Sequence, residues 1–278
     1  MHKHFSNTFS EIMAGTCVLF LIITLLPAPG LTDQQNSGIV NGAEARRNSK
    51  PYMVSVQTKN KNHICGGFLV SENFVMTAAH CYTWLTENAE CRGVNLTVVV
   101  GAHDITRQES SSYRIDVKYY HIHPGYNEKT LENDIMLLQL VKTIPKSKAV
   151  QQISLPKKDQ AVKAKTLCNV AGWGATKTGG TANQRLMEVN VTVIDRSSCQ
   201  RSWGKTTTIT LSMICAGGTA EDYKGVCQGD SGGPLVCKTT AVGIQSFNQK
   251  GNCNKPQKPN VYIKIAKYLP WIKCIIKY

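Results

Sequence analysis

The stretch Cys227-Gln-Gly-Asp-Ser-Gly-Gly-Pro-Leu-Val-Cys237 sets one serine, Ser231, among three glycines, with Asp230 directly before it and cysteines at both ends. Glycines let backbone N–H groups crowd against a reacting carbonyl, so a hydroxyl in that setting is placed for nucleophilic attack. Serine is a weak nucleophile at its own pKa and needs a base from elsewhere in the chain. Thr77-Ala-Ala-His80-Cys81 offers one in His80. Asp134 heads the mostly apolar run Asn133-Asp-Ile-Met-Leu-Leu-Gln-Leu140, where burial leaves a carboxylate in need of a partner. Nucleophile, base and an orienting acid together suit acyl transfer. His63, His103, His121 and His123 have no nucleophile beside them and read as surface or loop residues. His121-Ile-His123 has the look of a metal pair, but no Cys or carboxylate cluster completes it, so no metal and no other cofactor is expected.

Those groups must be carried by short elements. Tyr52, Val54 and Val56 share one face of a period-two run; Ile115, Val117 and Tyr119 share another, and Val189, Val191 and Val193 a third. Such runs between turn signals predict an all-β antiparallel sandwich or barrel. Helices are expected at Asp195 to Ser202 and from Lys267, where Tyr268, Trp271 and Ile275 fall at helical spacing beside Leu269, Ile272 and Ile276. The 278 residues, 42% hydrophobic and 18% charged, suffice for one large domain or two modest ones. Gly229-Asp-Ser-Gly-Gly233 also fits the elbow G-x-S-x-G. That turn needs a helix after the serine and the order Ser, Asp, His, whereas here the serine comes last and a strand-like run follows it.

In the order His, Asp, Ser, these motifs resemble the chymotrypsin-like serine proteases of the trypsin family, from residue 39 to about 273. The resemblance implies two antiparallel six-stranded β-barrels, residues 39 to roughly 150 and roughly 160 to 264, with Thr143 to Val162 as the crossover and a short C-terminal helix. It implies an oxyanion hole from the N–H groups of Gly229 and Ser231, and Ser246 as a hydrogen-bond partner of Asp134. Ile39 would be a mature N-terminus whose new amine folds onto Asp230. The implied disulfides are Cys65–Cys81, Cys168–Cys237, Cys199–Cys215 and Cys227–Cys253; the sequence alone leaves the pairing open. The specificity pocket departs from trypsin: Gly225 stands where trypsin has an aspartate, and Asn248 and Asn260 stand at wall positions usually occupied by glycine. Uncharged side chains of intermediate size, not Lys or Arg, are therefore expected there. Lys50-Pro-Tyr-Met-Val54, Gly101-Ala-His-Asp-Ile-Thr-Arg107 and Val193-Ile-Asp-Arg196 resemble granzymes and mast-cell granule proteases, with the Cys227–Cys253 pair pointing to the granzyme A and K branch.

Residues 1–30 read as a signal peptide, starting at Met1 or Met13, and 31–38 as an activation propeptide ahead of a protease domain at 39–278. Eleven cysteines suit an oxidising, secreted or granule destination. Cys17 leaves with the signal, and Cys91 and Cys274 remain for free, mutual or interchain use. Asn95-Leu-Thr97 and Asn190-Val-Thr192 are N-glycosylation acceptors. Without residues 1–38, which hold Lys3, Glu11 and Asp33, the chain has 31 basic and 16 acidic residues, a net of +15. That charge suits an anionic glycosaminoglycan or proteoglycan besides protein substrates; no nucleic-acid motif and no membrane span stand beside it. The alternative function is a catalytically inactive relative acting as a glycosaminoglycan-binding or antimicrobial protein through its basic surface.

Overall fold

The computed structural model describes residues 39–87, 95–218 and 222–277. The expected leader and propeptide at 1–38, with Cys17, and the spare Cys91 lie outside the described residues. A two-residue strand, β1 (Ala43–Glu44), precedes the first barrel of β2 (Met53–Thr58), β3 (His63–Leu69), β4 (Phe74–Thr77), β5 (Leu96–Val100), β6 (Tyr113–Ile122) and β7 (Met136–Leu140). The ring runs β2-β3-β4-β7-β6-β5 and closes where β5 pairs β2. A helix, α1 (His80–Glu87), leaves β4 at its C-terminal end.

The second barrel uses β8 (Leu167–Gly172), β9 (Met187–Ile194), β10 (Met213–Gly217), β11 (Pro234–Cys237), β12 (Thr240–Phe247) and β13 (Asn260–Lys264). Its order is β9-β10-β13-β12-β11-β8, closed by β8 on β9, with β1 added outside on β9. All these pairings are antiparallel, the geometry that short alternating runs with tight turns can build. Closing both sheets removes their edges. The four disulfides join the pairs that the resemblance implied. Cys274 is free and exposed.

The strands are less regular than their patterns. In β2, Ser55 and Gln57 are as buried as Val54 and Val56, because His63 and Arg114 cover and hydrogen-bond that face. In β6 a register shift between Val117 and Tyr119 turns Tyr119 outward to 53% exposure, while Ile115 stays buried. The first expected helix starts one residue late: α2 (Arg196–Trp203) has Asp195 as its N-cap, accepting from Ser198 N at 2.8 Å. At the C-terminus a 3₁₀ turn, Ile265–Tyr268, leads into α3 (Leu269–Ile276), with Pro270 in the first helical turn. One apolar cluster crosses between the barrels, joining Phe68 and Leu138 to Ile244, Ile263 and Tyr268. Among the described residues no helix is long and apolar enough to cross a membrane.

Candidate active site

The first barrel carries two of the expected groups. His80 opens α1 and is 1% exposed, and Asp134, just before β7, is fully buried. Asp134 Oδ2 meets His80 Nδ1 at 2.7 Å and accepts the Ser246 hydroxyl at 2.6 Å; Oδ1 accepts the His80 backbone N–H at 2.9 Å. The carboxylate thus fixes ring and backbone of the same histidine. Burial pushes the Asp134 carboxyl up, but the charge of His80 and these hydrogen bonds outweigh it and hold the group below the usual carboxylate range. With Nδ1 held by the acid, Nε2 is the ring nitrogen left for a reacting hydroxyl.

The second barrel carries the serine loop between β10 and β11. Ser231 O accepts from Gly66 N at 2.8 Å, which ties the loop to β3 of the first barrel. Gly232 N donates to Gln245 O at 2.8 Å and Gly233 N to Asp230 O at 3.0 Å. Among the described residues, the N–H groups of Gly229 and Ser231 donate to no protein acceptor. Gly229 has φ 95°, a conformation that side-chain-bearing residues rarely adopt, and a Cβ there would come within 3.0 Å of Gly174 Cα.

A histidine missing from the expected site supports this loop. His63 Nε2 donates to Gly229 O at 2.9 Å, and His63 Nδ1 accepts the Ser55 hydroxyl at 2.8 Å. Burial pushes the His63 imidazole down to about 4, and the Gly229 contact only partly offsets it. His63 is therefore no loose surface residue. His103 is also buried, at 5% exposure, and bonds Glu44 at 2.7 Å. His121 meets Gln139 at 3.1 Å, and His123 packs edge-on against Tyr268 and Trp271. The tightest His/Cys grouping among the described residues, Cys65, His80 and Cys81, has its two sulfurs joined in a disulfide and offers no thiolate.

Asp230 is fully enclosed. Its oxygens accept from Gly174 N at 2.8 Å and Cys227 N at 3.0 Å. Burial pushes its carboxyl up to about 7 despite those two donors. Ile39, also fully buried, packs in the core of the second barrel, and Val40 N donates to Gly225 O at 3.0 Å. At Gly225 a Cβ would collide with Asn260 Nδ2, so the Asn260 amide points inward. Asn248 Nδ2 donates to Val226 O at 3.0 Å and so also turns in from solvent. Asn95 and Asn190 are both exposed.

His80, Asp134 and Ser246 meet in direct hydrogen bonds, and the Ser231 carbonyl is anchored on Gly66 of β3. Among known proteins, residues 39–272 match the family model described as Trypsin. Granzyme-like protein 1 of Rattus norvegicus is 39% identical over 94% of this chain and 98% of its own length. Mast cell protease 3 of Ovis aries is 39% identical over 92% and 95%, and Granzyme A of Bos taurus 39% over 90% and 93%.

Proposed function

The chain belongs to the trypsin family and is a chymotrypsin-like serine endopeptidase, and on that premise we propose that it cleaves peptide bonds through His80, Asp134 and Ser231. Ser231 Oγ attacks the scissile carbonyl while His80 Nε2 takes its proton and later returns it to the leaving amine. Asp134 keeps the imidazole in the productive tautomer and offsets the imidazolium charge. The N–H groups of Gly229 and Ser231 receive the oxyanion, and water then releases the acyl group. The observation that carries this reading is the grip of Asp134 on ring and backbone of His80. A fluorophosphonate should label Ser231 in the chain beginning at Ile39, and Ser231→Ala should abolish both labelling and hydrolysis. Hydrolysis by a pure Ser231→Ala protein at near the parent rate would end the proposal.

In this reading residues 1–30 are a signal peptide and 31–38 a propeptide, so the enzyme is secreted or granule-stored, in the service of immune defence. Cleavage after Gly38 frees the Ile39 amine for Asp230. The buried carboxyl of Asp230, satisfied by N–H groups and raised by burial, supports that switch. The pocket of Gly225, Asn248 and Asn260 offers no carboxylate of its own, so Lys and Arg are poor substrates. The net charge of +15 without residues 1–38 favours an anionic glycosaminoglycan for storage. The hydrogen-bonded His80–Asp134 pair weighs against a purely binding, inactive role. The surface positions of Asn95 and Asn190 suit glycans, and Cys274, exposed, can bridge to another chain.

A further inference from the structure

The strand that carries Ser246 also carries a side chain the reaction above leaves idle. Gln245 is 3% exposed, and its Oε1 has no hydrogen-bond partner among the described residues. Its backbone brackets the serine loop, with Gly232 N donating to Gln245 O at 2.8 Å and Gln245 N to Gly233 O at 2.9 Å. Its partner across β12 and β13 is Tyr262, fully buried, whose hydroxyl also lacks a formed hydrogen bond among the described residues. Directly paired antiparallel residues share a face, and Asn260, two residues back along β13, lies on it too. Asn260 bears on the Tyr262 phenol and fills the space over Gly225. Burial and the charge of Asp230 push the phenol up, so it stays a neutral donor. One polar wall thus runs from the serine loop to the pocket floor, with Gln245 Oε1 unpaired and the Tyr262 hydroxyl beside the Asn260 amide.

Buried polar atoms without partners are rare in folded chains, and each calls for an explanation such as a role at a working site. We propose that Gln245, with Tyr262, selects a carboxamide side chain, glutamine or asparagine, on the acyl side of the cleaved bond. This rests on Ser231 as the nucleophile and on Gly225, Asn248 and Asn260 as the primary pocket. A carboxamide supplies an N–H for Gln245 Oε1 and a carbonyl for the Tyr262 O–H. A carboxylate brings an uncompensated charge and no donor of its own, so it forces the Gln245 amide to turn over, and a hydrocarbon leaves both groups unpaired. An ammonium or guanidinium finds no countercharge. Admission of the side chain turns the Asn248 and Asn260 amides aside and breaks the Asn248–Val226 contact.

The test uses the chain beginning at Ile39, with active sites counted by fluorophosphonate, and peptides that differ only at that residue: Gln, Met, Asn, Leu, Glu and Lys. The expected kcat/KM for Gln exceeds that for its isostere Met by about tenfold or more. Gln245→Met and Tyr262→Phe should each bring that ratio towards one. Tyr262→Phe removes only the phenol oxygen, which lies beside the Asn260 amide, so it keeps the fold even if Gln245→Met does not. A labelled enzyme that cleaves after Met or Leu at least as well as after Gln overturns the pocket assignment alone. A Gln/Met ratio unmoved in both variants overturns the role of Gln245 and Tyr262. Failure of both labelling and hydrolysis overturns the protease reading with it.

Discussion

The imidazole of His63 holds the Gly229 carbonyl at 2.9 Å while its other nitrogen holds Ser55 Oγ at 2.8 Å. A residue of the first barrel thereby fixes the peptide that precedes Asp230 and Ser231 in the second. Removing it leaves the Gly229 carbonyl unpaired and frees a backbone already at φ 95°. His63→Ala should therefore lower kcat by about ten- to a hundredfold, somewhat less than outright loss of an oxyanion donor. Steady-state kinetics on titrated enzyme decide it. A raised KM at unchanged kcat would mean that the imidazole does not serve the oxyanion loop.

The same histidine sets an acid limit. Its folded value, about 4, lies below the ordinary histidine value of 6.5. Stability from the neutral ring is thus present above about 6.5 and lost as pH falls from there through about 4. Thermal melts of the wild type and His63→Phe should converge as pH falls across that window. Parallel curves down to pH 4 would show that His63 takes up its proton without cost to the fold.

Asp134→Asn keeps the shape of the Asp134 side chain but presents a donor or a weaker acceptor to His80 Nδ1. The wrong tautomer then faces Ser231, and kcat should drop by about 10⁴. Melting temperature separates this from misfolding. A fall below tenfold in a folded variant would mean that Asp134 does not orient the base.

The proposed activation switch at Asp230 has a pH signature. In the continuous chain its carboxyl is raised from 3.8 to about 7 by burial. A raised acid stabilises the fold fully below its unfolded value, and that contribution is lost as pH rises through the folded value. About three pKa units correspond to about 4 kcal/mol. The chain bearing residues 31–38 should lose stability between pH 4 and 7, and removal of those residues should flatten the slope by giving the carboxylate an ammonium partner. Denaturant titrations of both forms across that range test it. Identical slopes would separate Ile39 from Asp230.

A Cβ at Gly225 would meet the Asn260 amide, the movable end of a side chain, so a carboxylate added there must first push that amide aside. Gly225→Asp alone should therefore gain less cleavage after Lys or Arg than the same change with the floor cleared. Gly225→Asp with Asn260→Gly should raise kcat/KM on Arg peptides by about a hundredfold or more, as a buried guanidinium gains its partner. Peptide kinetics on the two variants check this. Equal activity of the single and double variants would mean that Asn260 does not fill the floor.

The residues that were legible in the sequence are those with a local signature. Ser231 stands among glycines, His80 beside a cysteine, and Asp134 at the head of an apolar strand, so each announces a role within a few positions. The period-two runs pointed to an antiparallel sandwich or barrel and the family resemblance to two closed barrels, although the Val117–Tyr119 shift turns Tyr119 outward. His63 had no such signature. Its partner is a backbone carbonyl 166 residues away, which no side-chain motif encodes. Gln245 was hidden for a related reason: its lack of a partner exists only once β12 and β13 are paired. Ser55 and Gln57 look solvent-facing in the β2 pattern until His63 and Arg114 close over them.

The Tyr268 hydroxyl donates to Asn133 Oδ1 at 2.9 Å, and Tyr268 and Ile272 lie in the apolar cluster that reaches the first barrel. The neighbour of Asp134 is thus clasped by a segment of the chain made more than a hundred residues later. During synthesis the first barrel can close long before that clasp exists, since domains fold as they emerge. A chain that stops before Tyr268 therefore holds His80 and Asp134 without the clasp on Asn133.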